Sequence, residues 1–259
     1  MPETASRSAG AATTRGCRQS QSASGPRPGT AATRTRPYRF RSRIGVGLAG
    51  GFYPVPHRYD LFLRASCPRS LRISITLGLL GLDGSVATTL LTHPAETPDA
   101  FASLRGAYEA TVHHYDGPLT APALRDRWSG RIVSNRTSDI LGDLAGPLSC
   151  SDGSRPVLHP PALAPEIDTL RDLLDRNVTP AAPAAARSSA LSLLEHQLTR
   201  TSHALGDDLT AADVDLWVAL VPLVPAGTLS AYPRLREYVR RLGDHPAFRG
   251  SSGAVPDAA

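Results

Sequence analysis

Residues 59–70, YDLFLRASCPRS, and residues 71–82, LRISITLGLLGL, decide the fold of this 259-residue chain. The first six residues form a short apolar run of strand type. Apolar side chains then recur broadly through residues 71–82, which predicts a helix packed between two layers. Pro68 suits the first position of that helix, where the missing N–H costs no hydrogen bond. The stretch therefore predicts a strand, then Cys67 at a helix N-terminus.

Strands and helices alternate after this helix. We predict a strand over residues 85–91, a helix over 97–114, two short strands over 121–125 and 131–134, and a helix from 137 to about 144. The resulting order, β-α-β-α-β-β-α, is the layout of a thioredoxin-like domain. It implies a layered α/β unit whose sheet is at least partly parallel.

The rest of the chain has a helical pattern. Residues 147–161 are rich in Gly, Pro, Ser and Asp and are predicted to form a linker. Amphipathic or apolar segments follow over 166–177, 184–205, 211–221 and 233–242. The predicted fold class is therefore α/β plus all-α, with a thioredoxin-like domain over residues 37–146 and an all-helical domain over residues 162–250.

The two ends of the chain differ from this pattern. Residues 1–36 have almost no large apolar side chain, so we predict that they are disordered and that residues 251–259 form a flexible tail. Residues 1–43 carry nine arginines and one acidic residue. Such a segment can bind nucleic acid through charge alone. Because no motif for specific recognition accompanies it, we favour a solvated extension over a nucleic-acid-binding tail.

Composition excludes several functional classes. Cys17, Cys67 and Cys150 are an odd number of cysteines with no CxxC pair and no metal-ligand spacing. This argues against a disulfide framework or a metal site and favours a reducing cytoplasm. No apolar run approaches about 18 residues, so no membrane span is expected.

Cys67 is the candidate nucleophile. Unpaired N–H groups and the positive end of the helix dipole favour a thiolate at this position, and Arg69 would add a positive charge. Ser70 stands where a resolving cysteine would be, which favours a monothiol cycle closed by an external thiol. The alternative is that Cys67 is a small buried apolar side chain.

Three stretches resemble the glutathione transferase superfamily, and within it the cysteine-type glutathionyl-hydroquinone reductases, relatives of the omega class. They are residues 42–68, which contain RYDLFLRASCP, residues 119–140, which contain LTAPAL and IVSNRTSDI, and residues 205–217, LGDDLTAADVDLW. The last stretch includes a capping box from Thr210 to Asp213. Together they span roughly residues 40–250.

The resemblance implies glutathione or another small thiol as co-substrate, no bound cofactor, and a homodimer. It also implies a cis-proline at Pro122, which exposes the backbone of Ala121 to the bound thiol. The sequence departs from the family at three places. The family's helical-domain tyrosines, which crown the quinone pocket, have no clear counterpart around residues 177–178 or 221–228. Arg69 replaces a tryptophan, and Arg136-Thr137 replaces the Glu-Ser pair that grips the γ-glutamyl part of glutathione.

The function expected from these features is that of a thiol transferase or reductase. Cys67 would attack the sulfur of a thiol-conjugated aromatic, form a mixed disulfide and release a reduced aromatic such as a hydroquinone. Arg136 would suit a carboxylate or sugar hydroxyls, so the thiol need not be glutathione. The alternative function is a non-catalytic binding or scaffold protein that keeps the fold.

Overall fold

The structure is a computed structural model that describes residues 39–45, 51–65, 67–149, 155–179 and 181–249. The tails predicted over residues 1–36 and 251–259 lie outside the described residues, as do Cys17 and Cys150. None of the helices in the described ranges combines the length and the apolar character that crossing a bilayer requires.

A four-stranded mixed sheet forms the first half of the fold. Its strands are β1 (Tyr59–Arg64), β2 (Ala87–Leu91), β3 (Ala123–Asp126) and β4 (Ile132–Ser134), in the spatial order β2-β1-β3-β4. β2 runs parallel to β1, whereas β3 is antiparallel to both β1 and β4. The predicted strand order and the partly parallel sheet are confirmed.

Three helices cover the two faces of the sheet: α1 (Pro68–Leu80), α2 (Pro98–Thr111) and α3 (Thr137–Ala145). Alternate residues of β1 point to opposite faces. Leu61 joins the core shared by α1 and α3, while Phe62 joins a separate core on the α2 side. The thioredoxin-like layout predicted from the sequence is therefore present.

The second half is helical. Its helices are α4 (Ala164–Asn177), α5 (Ala184–Gln197), α6 (Ala211–Leu220), α7 (Pro233–Gly243) and α8 (Pro246–Arg249), with short 3₁₀ turns at Pro161–Leu163, Val221–Leu223 and Thr228–Ala231.

Two helices end earlier than predicted. The helix predicted over residues 184–205 ends at Gln197. Beyond it, the Thr199 hydroxyl donates to the His196 carbonyl over 2.6 Å and the Thr201 hydroxyl donates to the His203 carbonyl over 2.8 Å. These local side-chain bonds compete with helical backbone bonds. The helix predicted to residue 114 likewise ends at Thr111.

Helix α1 packs against the sheet, α3, α6 and α8, so its apolar residues are buried on several sides. Its approach to α8 is close, because a Cβ on Gly78 would lie 3.0 Å from the Cβ of Ala247. The helix ends at Gly81, which adopts the left-handed conformation typical of a C-cap. α1 thus joins the sheet to the helical half.

The segment of residues 39–45 runs beside β4. The Ser42 N–H donates to the Val133 carbonyl over 3.1 Å, and the Arg43 guanidinium binds the buried Asp143 carboxylate of α3 at 2.7 Å. These contacts bring Arg39 to the edge of the cavity described below.

Asp213 organises the helical half. Its fully buried carboxylate accepts hydrogen bonds from the N–H of Thr210 (2.7 Å), the N–H of Ala204 (2.8 Å) and the hydroxyl of Tyr238 (2.7 Å). The predicted capping box is present at the start of α6. Burial, the Asp213 charge and this hydrogen bond raise the pKa of Tyr238 well above its ordinary value.

Replacing Asp213 by Ala is expected to lower the free energy of unfolding by about 3–5 kcal/mol, because several buried donors lose their acceptor. Urea denaturation followed by circular dichroism measures the change. Asp208→Ala, which removes an exposed carboxylate just before the same helix, is the matched control and should change it by less than about 0.5 kcal/mol. Equal effects of the two substitutions would contradict this role of Asp213.

Candidate active site

Cys67 lies at the junction of β1 and α1. Its backbone is extended (φ −100°, ψ 116°), and its carbonyl accepts the N–H of Leu71 over 2.9 Å, which closes the first helical turn. Pro68 occupies the first helical position, as predicted. The Cys67 side chain is half-buried. It is therefore next to a helix N-terminus and still partly open to solvent.

Ser70 fixes the geometry of this junction. Its buried hydroxyl oxygen accepts the N–H of Arg64 over 3.0 Å, which links the last residue of β1 to the first turn of α1. That bond uses a lone pair of the hydroxyl and leaves its proton to donate elsewhere. A side-chain hydrogen bond between Ser70, which replaces a resolving cysteine, and Cys67 lowers the pKa of the Cys67 thiol.

Opposing effects act on the pKa of the Cys67 thiol. Burial, the largest single effect, raises it. The backbone N–H groups of Ser70 and Arg69, the Ser70 hydroxyl and the Arg69 charge together outweigh burial, so the pKa lies below its ordinary value. The neutral thiol makes no capping hydrogen bond of standard geometry. The site therefore favours the thiolate, the reactive form of cysteine.

A cavity of about 490 Å³ adjoins this turn. Its wall combines the starts of α1 and α3, the loop before β3, Arg39 from the segment that runs beside β4, and one face of α4. The lining residues are Arg39, Arg69, Arg72, Thr120, Ala121, Asn135, Arg136, Thr137, Ser138, Leu141, Arg171 and Asp175.

Four of the six predicted site residues line this cavity: Arg69, Ala121, Arg136 and Thr137. Cys67 and Pro122 are not among its lining residues. Each is next to or close to a lining residue in the chain, because Ala121 precedes Pro122 directly and Arg69 lies in the helical turn that Cys67 caps. The structure thus brings four of the predicted residues together on one cavity wall, and Cys67 itself is not part of that lining.

The peptide bond between Ala121 and Pro122 is cis, as the resemblance implied. Thr120, the residue before Ala121, is held from two sides. The Tyr108 hydroxyl donates to the Thr120 carbonyl over 2.8 Å, and the Asn135 amide donates to the Thr120 hydroxyl over 3.2 Å. The backbone that would face a bound thiol is therefore fixed by a network of buried and half-buried polar groups.

The far wall of the cavity carries an ion-pair network between the two halves of the fold. The buried carboxylate of Asp215 on α6 lies 2.9 Å from the guanidinium of Arg72 on α1 and 2.9 Å from that of Arg171 on α4. Arg72 also binds Asp175 at 3.1 Å. The network holds α1 against the helical half and makes this wall polar.

Sequence reasoning did not identify Arg72, Asn135, Arg171 or Asp175 as lining residues. Arg72 follows Arg69 at a spacing of three, which places both on one side of a helix, and that signal was readable. Asn135 precedes Arg136 in a stretch already singled out. Arg171 and Asp175 come from the helical half, and nothing local in α4 indicates which of its faces meets the cavity.

The described residues contain no group of three or more His, Cys, Asp or Glu side chains arranged to hold a metal ion. They also place no aromatic side chain on the cavity wall, where Leu141 is the one large apolar residue. The cavity is therefore a polar and strongly basic site.

Comparison with known proteins gives consistent results. Residues 184–241 match the family model of the glutathione S-transferase C-terminal domain. The chain is 27% identical over 206 residues to the glutathionyl-hydroquinone reductase YqjG of Escherichia coli, an alignment that covers 68% of this chain and 63% of that protein. It is 27% identical over 248 residues to the glutathionyl-hydroquinone reductase PcpF of Sphingobium chlorophenolicum, covering 80% and 78% of the two chains.

Among solved structures, glutathione transferase Xi 1 of Trametes versicolor superimposes with a TM-score of 0.66 at 25% identity, covering 83% of this chain and 89% of that one. The fold class predicted from the sequence, a thioredoxin-like half followed by an all-helical half, is the fold of these proteins. The family resemblance seen in the residues around Cys67, Pro122 and the capping box is confirmed. Residues 184–241 thus match a glutathione S-transferase C-terminal domain, and the chain as a whole is similar to glutathionyl-hydroquinone reductases and to a Xi-class glutathione transferase.

Proposed function

We propose that this protein is a thiol-dependent transferase or reductase in which Cys67 is the nucleophile and glutathione or another small thiol is the co-substrate. The observation that carries the proposal is the half-buried Cys67 thiol at the N-terminus of α1, with its pKa lowered by its surroundings. The names of the Escherichia coli and Sphingobium relatives support a reductase acting on glutathionyl hydroquinones.

The first step is attack of the Cys67 thiolate on the sulfur of a thioether that joins a small thiol to an aromatic ring. An S–S bond forms between Cys67 and the small thiol, and the bond from sulfur to the ring carbon breaks. The ring carbon keeps the electron pair and takes up a proton. The aromatic product is reduced by two electrons and leaves as a hydroquinone.

The second step regenerates the enzyme. A second small thiol, as its thiolate, attacks the sulfur of the small thiol bound to Cys67. A disulfide of the two small thiols forms and leaves, the S–S bond to Cys67 breaks, and Cys67 returns as a thiolate. The proton lost by the second thiol balances the proton gained by the ring. Because Ser70 occupies the resolving position, no second cysteine of this turn competes with the external thiol.

Different neighbouring residues bind different parts of the thiol. Arg69 stabilises the thiolate and lines the cavity. In this proposal the backbone of Ala121, which precedes the cis bond to Pro122, pairs with the cysteinyl backbone of the thiol, and Arg136 and Thr137 at the start of α3 bind the remainder of the thiol; Ala121, Arg136 and Thr137 all line the cavity. A free thiolate is best maintained in a reducing compartment, so we also propose a cytoplasmic location.

A non-catalytic binding protein is the second candidate. It is favoured by the absence of Cys67 from the described lining of the cavity and by the lack of aromatic side chains among those lining residues. The two candidates differ in one respect that can be measured. Only the enzyme forms a covalent adduct on Cys67 that a second thiol releases.

The pH dependence of alkylation tests the thiolate. In a background of Cys17→Ser and Cys150→Ser, iodoacetamide should modify Cys67 with a midpoint below the ordinary thiol value of 9.0, because a lowered pKa leaves the thiolate populated at lower pH. Ser70→Ala should move the midpoint upward by removing a hydroxyl that stabilises the anion. Ser192→Ala, on the exposed surface of α5, should leave it unchanged. A midpoint at or above the ordinary value would exclude an activated Cys67.

Intact-protein mass spectrometry tests turnover. Incubation with disulfides of small thiols should add one thiol to Cys67, and excess free thiol should remove it. Release of hydroquinone from a glutathionyl conjugate, followed by chromatography, should fall by roughly a thousandfold or more in Cys67→Ser, since the substitution removes the nucleophile. Cys150→Ser is the matched control and should keep full activity. The absence of any adduct on Cys67 with every thiol tried would favour the binding protein.

A further inference from the structure

The cavity beside Cys67 has an unusual balance of charge. Five arginines line it, and Asp175 is the one carboxylate among its lining residues. Arginine is charged at every physiological pH. A ligand that enters this cavity therefore meets a positive surface, and the question is which of these charges remain available to it.

Two of the arginines are already neutralised. Arg72 binds Asp215 at 2.9 Å and Asp175 at 3.1 Å. Arg171 binds Asp215 at 2.9 Å and Asp168 at 2.8 Å. Asp175, the lining carboxylate, is thus already engaged by an arginine.

The other three arginines, Arg39, Arg69 and Arg136, have no carboxylate partner within the ranges that the structure describes. Arg39 and Arg69 are exposed and Arg136 is half-buried at the start of α3. The backbone N–H of Arg136 donates to the Ser134 hydroxyl over 3.1 Å, and its side chain lines the cavity without an ion pair among the described residues. Three uncompensated positive charges therefore surround the space that the thiol would occupy.

From this charge balance we propose that the preferred thiol co-substrate carries at least two carboxylates and no free ammonium group. The inference rests on the proposed function, because it concerns the thiol that reacts at Cys67. Guanidinium groups bind carboxylates through paired, charge-assisted hydrogen bonds. An ammonium group would find no unengaged carboxylate among the described lining residues and would lie among like charges, which oppose binding.

This chemistry separates closely similar thiols. Glutathione has two carboxylates and one ammonium group on its γ-glutamyl end. Its desamino analogue, in which a glutaryl group replaces the γ-glutamyl group, keeps both carboxylates and the thiol and loses only the ammonium group. The cavity volume of about 490 Å³ lies in the range of small-molecule sites, so both can be accommodated.

The test compares these two thiols as co-substrates of the full-length protein. We expect kcat/KM to be about tenfold higher for desamino-glutathione than for glutathione, and the ratio to shrink as ionic strength rises, because screening weakens the charge contribution. Arg136→Glu should invert the preference by supplying a carboxylate, and Arg136→Gln should reduce it. Arg200→Glu, an equal charge change at an exposed residue beyond α5, should leave the ratio unchanged.

Binding separates this inference from the proposed function. Calorimetry on Cys67→Ser with the S-methyl derivatives of both thiols measures the preference without any chemistry at Cys67. Tighter binding of the desamino derivative supports the inference even if no turnover is found. The inference would be overturned if the glutathione derivative binds equally well or more tightly, or if neither derivative binds. It would also be overturned if Arg136→Glu changes the preference no more than the control Arg200→Glu does. A normal Cys67 adduct together with any of these results would leave the proposed function standing.

Discussion

The burial of α1 between the sheet and the helical half is the constraint on which the site depends. The body of the helix is fixed by apolar packing, by the close contact of Gly78 with Ala247, and by the ion pair between Arg72 and the buried Asp215. Its N-terminus, in contrast, ends at the surface of the cavity. A rigid helix with one open end holds its first N–H groups in a fixed direction, so their effect on a neighbouring sulfur requires no rearrangement when charge develops there.

The depth of Cys67 follows from two opposing requirements. Deeper burial would raise the pKa of the thiol further and exclude the substrate, whereas full exposure would weaken the effects of the helix N-terminus and of Arg69 by solvent screening. The half-buried position is a compromise in which local donors outweigh desolvation. Ser70 contributes twice to this balance, because it ties the turn to Arg64 and also stabilises the anion.

Much of this architecture was readable because its signals are local. A proline after a cysteine, an apolar run before it, and a Thr-to-Asp capping box each specify a short segment whose conformation depends on its own residues. The length of α5 was misjudged because Thr199 and Thr201 satisfy carbonyls that a longer helix would have used. The contributions of Arg171 and Asp175 to the cavity were not readable. These contributions depend on how α4 is rotated against α1. That rotation is set in part by Asp215 of α6, whose buried carboxylate pairs with Arg72 of α1 and Arg171 of α4.

The groups that act on the Cys67 thiol and the side chains that give the cavity its charge are largely different, which explains how one fold can bind different thiols. The groups that lower the pKa of the Cys67 thiol here belong to the first turn of α1, namely the backbone N–H groups of Ser70 and Arg69, the Ser70 hydroxyl and the Arg69 charge. The charges that a ligand meets in the cavity come from side chains, chiefly Arg39 and Arg136, whereas Arg69 contributes both to the cavity and to the pKa of Cys67. A substitution of Arg39 or Arg136 changes the charge that a ligand meets without moving α1 or the sulfur it holds. Selectivity for a thiol can therefore diverge among proteins of this fold while a cysteine at the start of the helix keeps its position, and a cysteine in that place does not by itself identify the thiol.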